Sequence, residues 1–257
     1  MSDEDISLDE KRVYADKTKT ATAFVAAGAG LARVSISDDI VGEFSLEHRS
    51  TVTDVATADG RLAIATPEDV LIGDGEAFVE TGFGPATAVD YHDGLVAAGG
   101  GTVARYDGGW EPLGDLDDVR AIDGDMVAAA SGIHRLDGTH VGLDAATDVT
   151  TAVGPLAATE SGLYYLANGW MSALDGAFSV VAGAGETAHA ATAETLYERD
   201  GGEWSPVELP VGGAVAGVAY AEATYAVTED GTFLANAGDG WRHRSLGLPD
   251  VAAIAVL

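Results

Sequence analysis

The feature that most constrains the fold is a unit that recurs seven times along the chain. In each copy a short apolar strand enters a tight turn and leaves as a second strand, with a small apolar residue near the end of the first strand. These equivalent residues are Ala27, Ala65, Ala98, Ala129, Ala158, Ala191 and Val227. They lie 38, 33, 31, 29, 33 and 36 residues apart. This period accommodates four short strands with their turns.

Two further strands of the unit flank this hairpin. After it comes a turn rich in Asp, Asn and Gly, which supplies the positive φ angles of tight hairpins. The 4 tryptophans follow such turns, at Trp110, Trp170, Trp204 and Trp241. Before the hairpin lies another apolar strand, predicted at residues 52–55, 86–89, 119–122, 149–153, 178–181 and 215–218.

The two ends of the chain complement each other. A last copy of the preceding strand, residues 251–256, has no hairpin after it, whereas the hairpin at Ala27 has no clear copy before it. Joining these parts closes a ring and removes both exposed sheet edges. The sequence therefore predicts an all-β fold, a single β-propeller of seven four-stranded blades closed by the C-terminal strand. The irregular first unit leaves six or eight blades as alternatives, and a solenoid would need polar caps that the sequence lacks.

The domain organisation follows from the repeat. Residues 1–10 are acidic and are predicted to form a disordered tail, and residues 11–257 form the propeller domain. The N-terminus lacks the basic start and apolar run of a signal peptide, and no stretch approaches 18 apolar residues. We therefore expect a cytoplasmic protein with no membrane contact, and a monomer.

The charge balance is strongly acidic, with 42 acidic and 13 basic side chains and a formal net charge of −29. Carboxylates keep a surface hydrated in concentrated salt, where charges are screened within about 3 Å at 1 M. We interpret the acidity as a solvated surface adapted to salt. Nucleic acid is an unfavourable partner, because its phosphates would meet charge of the same sign.

The turns after the third strand resemble a known motif. Residues 105–110 and 199–204, which end in Trp110 and Trp204, resemble shortened Asp boxes of the sialidase-like and photosystem-assembly-factor propellers. In that group the Asp box is a structural turn, so the resemblance implies a fold and no activity. The whole sequence also resembles uncharacterised haloarchaeal β-propeller proteins, which implies a halophilic, cytoplasmic protein of the same fold.

The sequence offers little catalytic chemistry. Cysteine is absent, the six histidines lack the close spacing of metal ligands, and no glycine-rich loop precedes a helix. A sialidase would need three convergent arginines with Tyr, Glu and Asp; Arg33, Arg105, Arg135 and Arg199 recur at a similar phase, which is also typical of inherited packing. We predict no catalytic residue, no metal and no cofactor.

We expect a noncatalytic binding or scaffold protein that presents a loop-lined face to an unknown protein partner. That face would carry Glu68, Asp69, Glu160, Glu194, Glu229 and Asp230, and ordinary acidic turns are the alternative reading of them. The candidate partner-binding residues are Lys11, Arg12, Lys17, Lys19, His48 and Arg49. The basic cluster has an intramolecular alternative, in which it neutralises the acidic surface of the closing blade. The alternative function is a hydrolase-type enzyme with its active site at the mouth of the central channel.

Overall fold

The computed structural model describes residues 20–37, 39–73 and 77–257. Within these residues the chain forms 28 strands in seven antiparallel sheets of four. The predicted seven-bladed propeller is confirmed. None of the described residues forms a helix long and apolar enough to cross a membrane.

Each sheet is one blade. The blades are numbered in chain order, and the strands of each blade are given from the innermost, at the channel, to the outermost. Blade 1 contains β28 (Val251–Val256), β1 (Thr20–Ala27), β2 (Gly30–Ser37) and β3 (Ile40–His48). Blade 2 contains β4 (Asp54–Ala58), β5 (Arg61–Ala65), β6 (Val70–Gly73) and β7 (Phe78–Glu80). Blade 3 contains β8 (Ala88–Tyr91), β9 (Leu95–Gly99), β10 (Thr102–Tyr106) and β11 (Trp110–Asp115).

The other four blades repeat this order. Blade 4 contains β12 (Val119–Asp123), β13 (Met126–Ala129), β14 (Gly132–Arg135) and β15 (His140–Gly142). Blade 5 contains β16 (Ala146–Thr150), β17 (Leu156–Thr159), β18 (Gly162–Leu166) and β19 (Trp170–Asp175). Blade 6 contains β20 (Phe178–Ala184), β21 (Thr187–Thr192), β22 (Leu196–Asp200) and β23 (Glu203–Val207). Blade 7 contains β24 (Val215–Tyr220), β25 (Thr224–Thr228), β26 (Thr232–Asn236) and β27 (Arg242–Ser245).

The ring closes where the sequence predicts. Strand β28 pairs antiparallel with β1 over Ala23–Val256 to Ala27–Val251. The main chains of Thr22 and Leu257 extend the ladder by exchanging two hydrogen bonds of 3.3 and 2.9 Å. The last strand of the chain thus becomes the innermost strand of the first blade.

The recurring small residue lies at or next to the end of the second strand of each blade. All seven equivalents, from Ala27 to Val227, are buried at 0% exposure in the second strand of their blades. Small side chains let neighbouring sheets approach closely, so the apolar core is spread over seven interfaces between blades.

The tryptophans close the outer part of several interfaces. Trp110, Trp170, Trp204 and Trp241 each pack against the core shared with the preceding blade. The indole nitrogens of Trp110 and Trp170 also donate to that blade, at Thr81 Oγ1 and at the Val141 carbonyl, both over 3.2 Å.

One predicted strand is wrong in its position. The sequence indicates a strand over residues 149–153, whereas the innermost strand of blade 5 is β16, three residues earlier. Gly154, whose φ is 81°, and Pro155 form the turn into the next strand, so residues 151–153 leave the ladder. The predicted tail over residues 1–10 lies outside the described residues.

Candidate functional site

One face of the disc, called the loop face, carries the connections between blades together with the turns between second and third strands. Main-chain hydrogen bonds join the two sets, for example Ala86 N–H to Thr66 O, Leu116 N–H to Gly101 O and Leu246 N–H to Gly231 O. The turns are residues 28–29, 66–69, 100–101, 130–131, 160–161, 193–195 and 229–231. The connections are residues 49–53, 81–87, 116–118, 143–145, 176–177, 208–214 and 246–250.

Most of the acidic residues expected on this face are exposed there, namely Glu68, Glu160, Glu194, Glu229 and Asp230. Asp69 differs, because it is 8% exposed and its carboxylate accepts main-chain N–H bonds from Val70, Gly82, Phe83 and Gly84. Burial works to raise the pKa of Asp69, but the four N–H donors together lower it. Asp69 therefore fixes the connection after blade 2 and is not displayed to a partner.

The structure places two of the six predicted partner-binding residues. Arg49 is exposed on the connection after β3, at the loop face. His48 is half-buried: its ring packs edge-on against Phe78 with centroids 5.5 Å apart, and its Nε2 lies 2.6 Å from Ser50 Oγ. Lys11, Arg12, Lys17 and Lys19 lie outside the described residues, so their role stays a prediction.

The central channel is a cavity of about 490 Å³ lined by the seven innermost strands. Four aspartates from consecutive blades line it, and the sequence analysis identified none of them as channel residues: Asp54, Asp90, Asp123 and Asp148. The opposite wall, from blades 6, 7 and 1, consists mainly of Ala, Gly and Val. The channel is therefore acidic on one side only.

Asp54 and Asp148 connect neighbouring blades in the same way. One oxygen of Asp54 accepts the N–H of Val55, and the other accepts the N–H of Val89 in blade 3, both at 2.8 Å. Asp148 repeats this geometry with Val149 and with Val181 of blade 6. Burial raises the pKa of each carboxyl to about 7, although these N–H donors act in the opposite direction.

Asp90 and Asp123 make the same kind of connection from positions further along their strands. Asp90 accepts the N–H of Gly124 in blade 4 at 2.8 Å. Asp123 accepts from the N–H and hydroxyl of Thr151 in blade 5, at 3.1 and 2.6 Å. Burial raises the pKa of Asp90 to about 6, and the Asp123 charge adds to this rise.

Tyr220, which lines the channel, and the buried His189 in the second strand of blade 6 are further side chains with catalytic potential. Tyr220 Oη lies 2.8 Å from Nδ1 of the buried His189 and donates to the Ala182 carbonyl at 3.2 Å. Burial lowers the pKa of His189 to about 4 and raises that of Tyr220. Arg120 donates hydrogen bonds to the Ala146 carbonyl at 3.1 Å and to the Glu160 carboxylate at 3.3 Å. These contacts also connect neighbouring blades.

The channel supports no metal site among the residues that the structure describes, since no group of three His, Asp or Glu side chains there could hold an ion. Both oxygens of Asp54, Asp123 and Asp148 already accept hydrogen bonds from protein donors. A general acid or base needs a carboxyl oxygen directed at a substrate. The geometry therefore assigns these carboxylates to holding the ring together.

The raised pKa values make stability depend on pH. A folded pKa of about 7 against an ordinary 3.8 means that the native state binds the proton more tightly, which contributes up to about 4 kcal/mol per carboxyl at low pH. This contribution is complete below about pH 4 and is lost as the pH rises through 7. We expect the free energy of unfolding, measured with denaturant at constant salt, to fall between pH 5 and 8.

Variants identify the groups responsible for this slope. Asp54→Asn combined with Asp148→Asn is expected to flatten the profile, whereas Asp107→Asn, at an exposed turn, should keep the slope of the unsubstituted protein. Equal slopes in the double variant and the control would contradict the assignment.

A signal for the channel aspartates is present in the sequence. Thr53-Asp54-Val55 and Thr147-Asp148-Val149 are equivalent tripeptides in the innermost strands of blades 2 and 5. Asp90 and Asp123 each follow Ala and a β-branched residue in blades 3 and 4. A charged residue inside an otherwise apolar strand indicates a buried hydrogen-bonded group, and its recurrence indicates a shared structural role.

Solved structures share the fold at low sequence identity. The extracellular domain of the putative hybrid two component system BT4673 from B. thetaiotaomicron matches with a TM-score of 0.62 and 14% identity over 78% of this chain and 34% of that chain. This chain thus spans about a third of that protein. A chain of the nidogen/laminin complex matches with a TM-score of 0.57 and 10% identity over 92% of this chain and 98% of that chain. Apo AztD from Citrobacter koseri matches with a TM-score of 0.57 and 11% identity over 94% of this chain and 98% of that chain.

At these identities the similarities show the β-propeller fold alone. No curated protein matches the sequence. A family model described as Beta-prop_HVO_0234-like, beta propeller, matches residues 7–257, nearly the whole chain. The chain therefore belongs to the HVO_0234-like β-propeller family.

Proposed function

We propose that this protein is a noncatalytic scaffold that binds a protein partner through its loop face, in a cytoplasm of high salt. The observation that carries the proposal is the use of the partly buried carboxylates of the channel. Asp54, Asp90, Asp123 and Asp148 each accept main-chain N–H groups of the neighbouring blade, so the acidic chemistry of the channel serves ring closure. Glu68, Glu194 and Glu229 are exposed on the loop face.

The shape of the molecule supports this assignment. A closed ring of seven sheets fixes the positions of fourteen turns and connections on one face, and rigid presentation lowers the entropy cost of binding. The acidic residues Glu68, Glu194 and Glu229 are exposed on three different blades. In concentrated salt these charges act on groups in direct contact with them, so they favour a partner whose basic groups meet them in the interface.

The alternative, a hydrolase at the channel mouth, has one observation in its favour. The hydroxyl of Tyr220 and the ring of His189 lie within hydrogen-bond distance beside the channel. A nucleophile must be able to release its proton to a base, yet burial raises the pKa of Tyr220 and lowers that of His189. This pair fits the role of a hydrogen-bonded connection between blades 6 and 7 better than that of a nucleophile and its base.

Charge reversal on the loop face tests the proposal. At molar salt, the tagged protein is expected to retain a partner from an extract of its source cells. The loop-face variant is expected to retain on the order of tenfold less partner, because its reversed charges repel the complementary surface of that partner. Its three substitutions are Glu68→Arg, Glu194→Arg and Glu229→Arg.

The matched control reverses three exposed acids of the outer strands and turns, far from the loop face: Glu111→Arg, Asp200→Arg and Glu203→Arg. The control should retain the partner. Equal retention by both variants would remove the loop face from the interaction. If no protein partner is retained at molar salt and a small molecule binds the protein saturably, the scaffold assignment is overturned.

A further inference from the structure

A groove of about 620 Å³ opens between blades 5 and 6, and the structure describes every residue of these two blades. This volume lies within the range of about 300–1,000 Å³ typical of ligand pockets. Gly202 lines the groove from a turn between third and fourth strands, and these turns lie on the face opposite the loop face. The groove is therefore separate from the loop face, and it shares no lining residue with the channel.

The walls of the groove are mainly apolar and aromatic. Blade 5 contributes Leu156, Leu174 and the ring of Tyr165, which is 41% exposed. Blade 6 contributes the half-buried indole ring of Trp204, which also packs on the apolar core shared by the two blades. Each wall therefore offers one aromatic ring to a ligand.

Arg199 takes the place of an apolar residue of the repeat. The residue directly opposite the tryptophan is Tyr106 in blade 3 and Leu166 in blade 5. In blade 6 it is Arg199, directly opposite Trp204. Directly opposite residues of paired strands share one face of the sheet, so the guanidinium and the indole ring both face blade 5. Arg199 thus corresponds to Tyr106 and not to Arg105, which lies one residue earlier in its strand.

The fold leaves three hydrogen-bond donors of this groove unused. The Arg199 guanidinium, the Trp204 indole N–H and the Tyr165 hydroxyl have no hydrogen-bond or ion-pair partner among the described residues. In contrast, the indole N–H groups of Trp110 and Trp170 donate to the preceding blade. The unused donors are therefore available to a ligand in the groove.

The charge of the groove favours an anion. Arg199 is the basic residue among the lining residues, and it is half-buried in a chain of net charge −29. Glu203 also lines the groove, but it lies opposite Asp200 at the next position of the ladder. Successive side chains of a strand alternate between its faces, so the Glu203 carboxylate is directed to the other face of blade 6. A guanidinium binds a carboxylate through two parallel hydrogen bonds.

We propose that this groove binds a small organic acid with a flat apolar ring. The Arg199 guanidinium donates two hydrogen bonds to the carboxylate, and the ring lies between Tyr165 and Trp204. Charges are screened within about 3 Å at molar salt, so a carboxylate in direct contact with the guanidinium keeps this interaction. The inference goes beyond the proposed partner binding, because it concerns another surface and another class of ligand.

A titration of the full chain with 3-phenylpropionate at constant molar salt, followed by nuclear magnetic resonance, tests the proposal. The indole N–H signal of Trp204 is expected to shift saturably. The signal of Trp241, which precedes the fourth strand of blade 7, is the internal control and should stay in place. The amide 3-phenylpropionamide has the same ring without the charge, and it should bind at least about fivefold more weakly.

Two variants that remove the same charge identify the binding group. Arg199→Gln is expected to weaken the binding of 3-phenylpropionate by about tenfold. It should keep the thermal unfolding midpoint, because the guanidinium has no partner among the described residues. The matched control Arg33→Gln changes an exposed arginine of blade 1 and should keep the affinity.

Three results would overturn the proposal. The first is a Trp204 signal that does not shift with 3-phenylpropionate, and the second is equal affinity for this acid and its amide. The third is equal weakening by Arg199→Gln and Arg33→Gln, because the acid would then respond to the overall charge of the protein. A Trp204 signal that shifts with protein concentration alone would assign the groove to a second copy of the chain and would likewise contradict the proposal.

Discussion

A chain that lacks residues 251–257 is expected to lose the cooperative unfolding transition of the full protein. These residues supply β28, the innermost strand of blade 1, and without it the main-chain groups of β1 face solvent. The loss also uncovers Val25 and Ala27, which are fully buried against blade 7. Its cost is comparable with the whole net stability of a domain, about 5–15 kcal/mol.

The measurement is thermal unfolding followed by circular dichroism at molar salt. The control deletes residues 2–8, which removes the same number of residues from the other end and should keep the transition. If the chain without residues 251–257 unfolded as cooperatively, and at the same temperature, as the control, ring closure would not be the source of stability.

Gly231→Ala is expected to destabilise the protein far more than Gly154→Ala, although both glycines have a φ of 81°. Each alanine pays the left-handed backbone cost of about 1–2 kcal/mol. At Gly231 the new Cβ would also lie 2.2 Å from the carbonyl oxygen of Leu248, whereas Gly154 has open space. Displacing that main chain adds about 1–3 kcal/mol.

Gly231 lies in a loop-face turn, and its carbonyl oxygen accepts a hydrogen bond of 2.8 Å from the N–H of Leu246. The clash therefore falls on the connection that leads into the closing strand. Denaturant midpoints of the two variants measure the difference. Equal midpoints would mean that the connection between blade 7 and the closing strand is not packed as described.

Much of the fold could be predicted from the sequence because the repeat reports on main-chain geometry. Ala65 and Ala98 mark the end of the second strand, where only a small side chain fits between closely packed sheets. The Asp-Gly turns before the tryptophans indicate hairpins for a similar local reason. Ring closure could be predicted because the strand at residues 251–256 has no hairpin after it and the hairpin at Ala27 has no strand before it.

The channel could not be predicted in the same way. Asp54 and Asp148 are acidic residues in an acidic chain, and only the ring geometry brings Val89 and Val181 to their carboxylates. The role of Asp69 depends on a connection 13 to 15 residues away.

The pairing of β28 with β1 is the contact on which the whole account depends. Because Thr22 and Leu257 exchange two hydrogen bonds, the next residues along the ladder, Ala23 and Val256, form a non-hydrogen-bonded pair, as do Val25 and Ile254. Cα atoms of such pairs are about 4.5 Å apart.

Nuclear Overhauser spectroscopy of the full chain measures this contact directly. The account predicts Hα–Hα cross-peaks between Ala23 and Val256 and between Val25 and Ile254. Assigned spectra without these cross-peaks, or with cross-peaks from β28 to another strand, would contradict a closed seven-bladed ring.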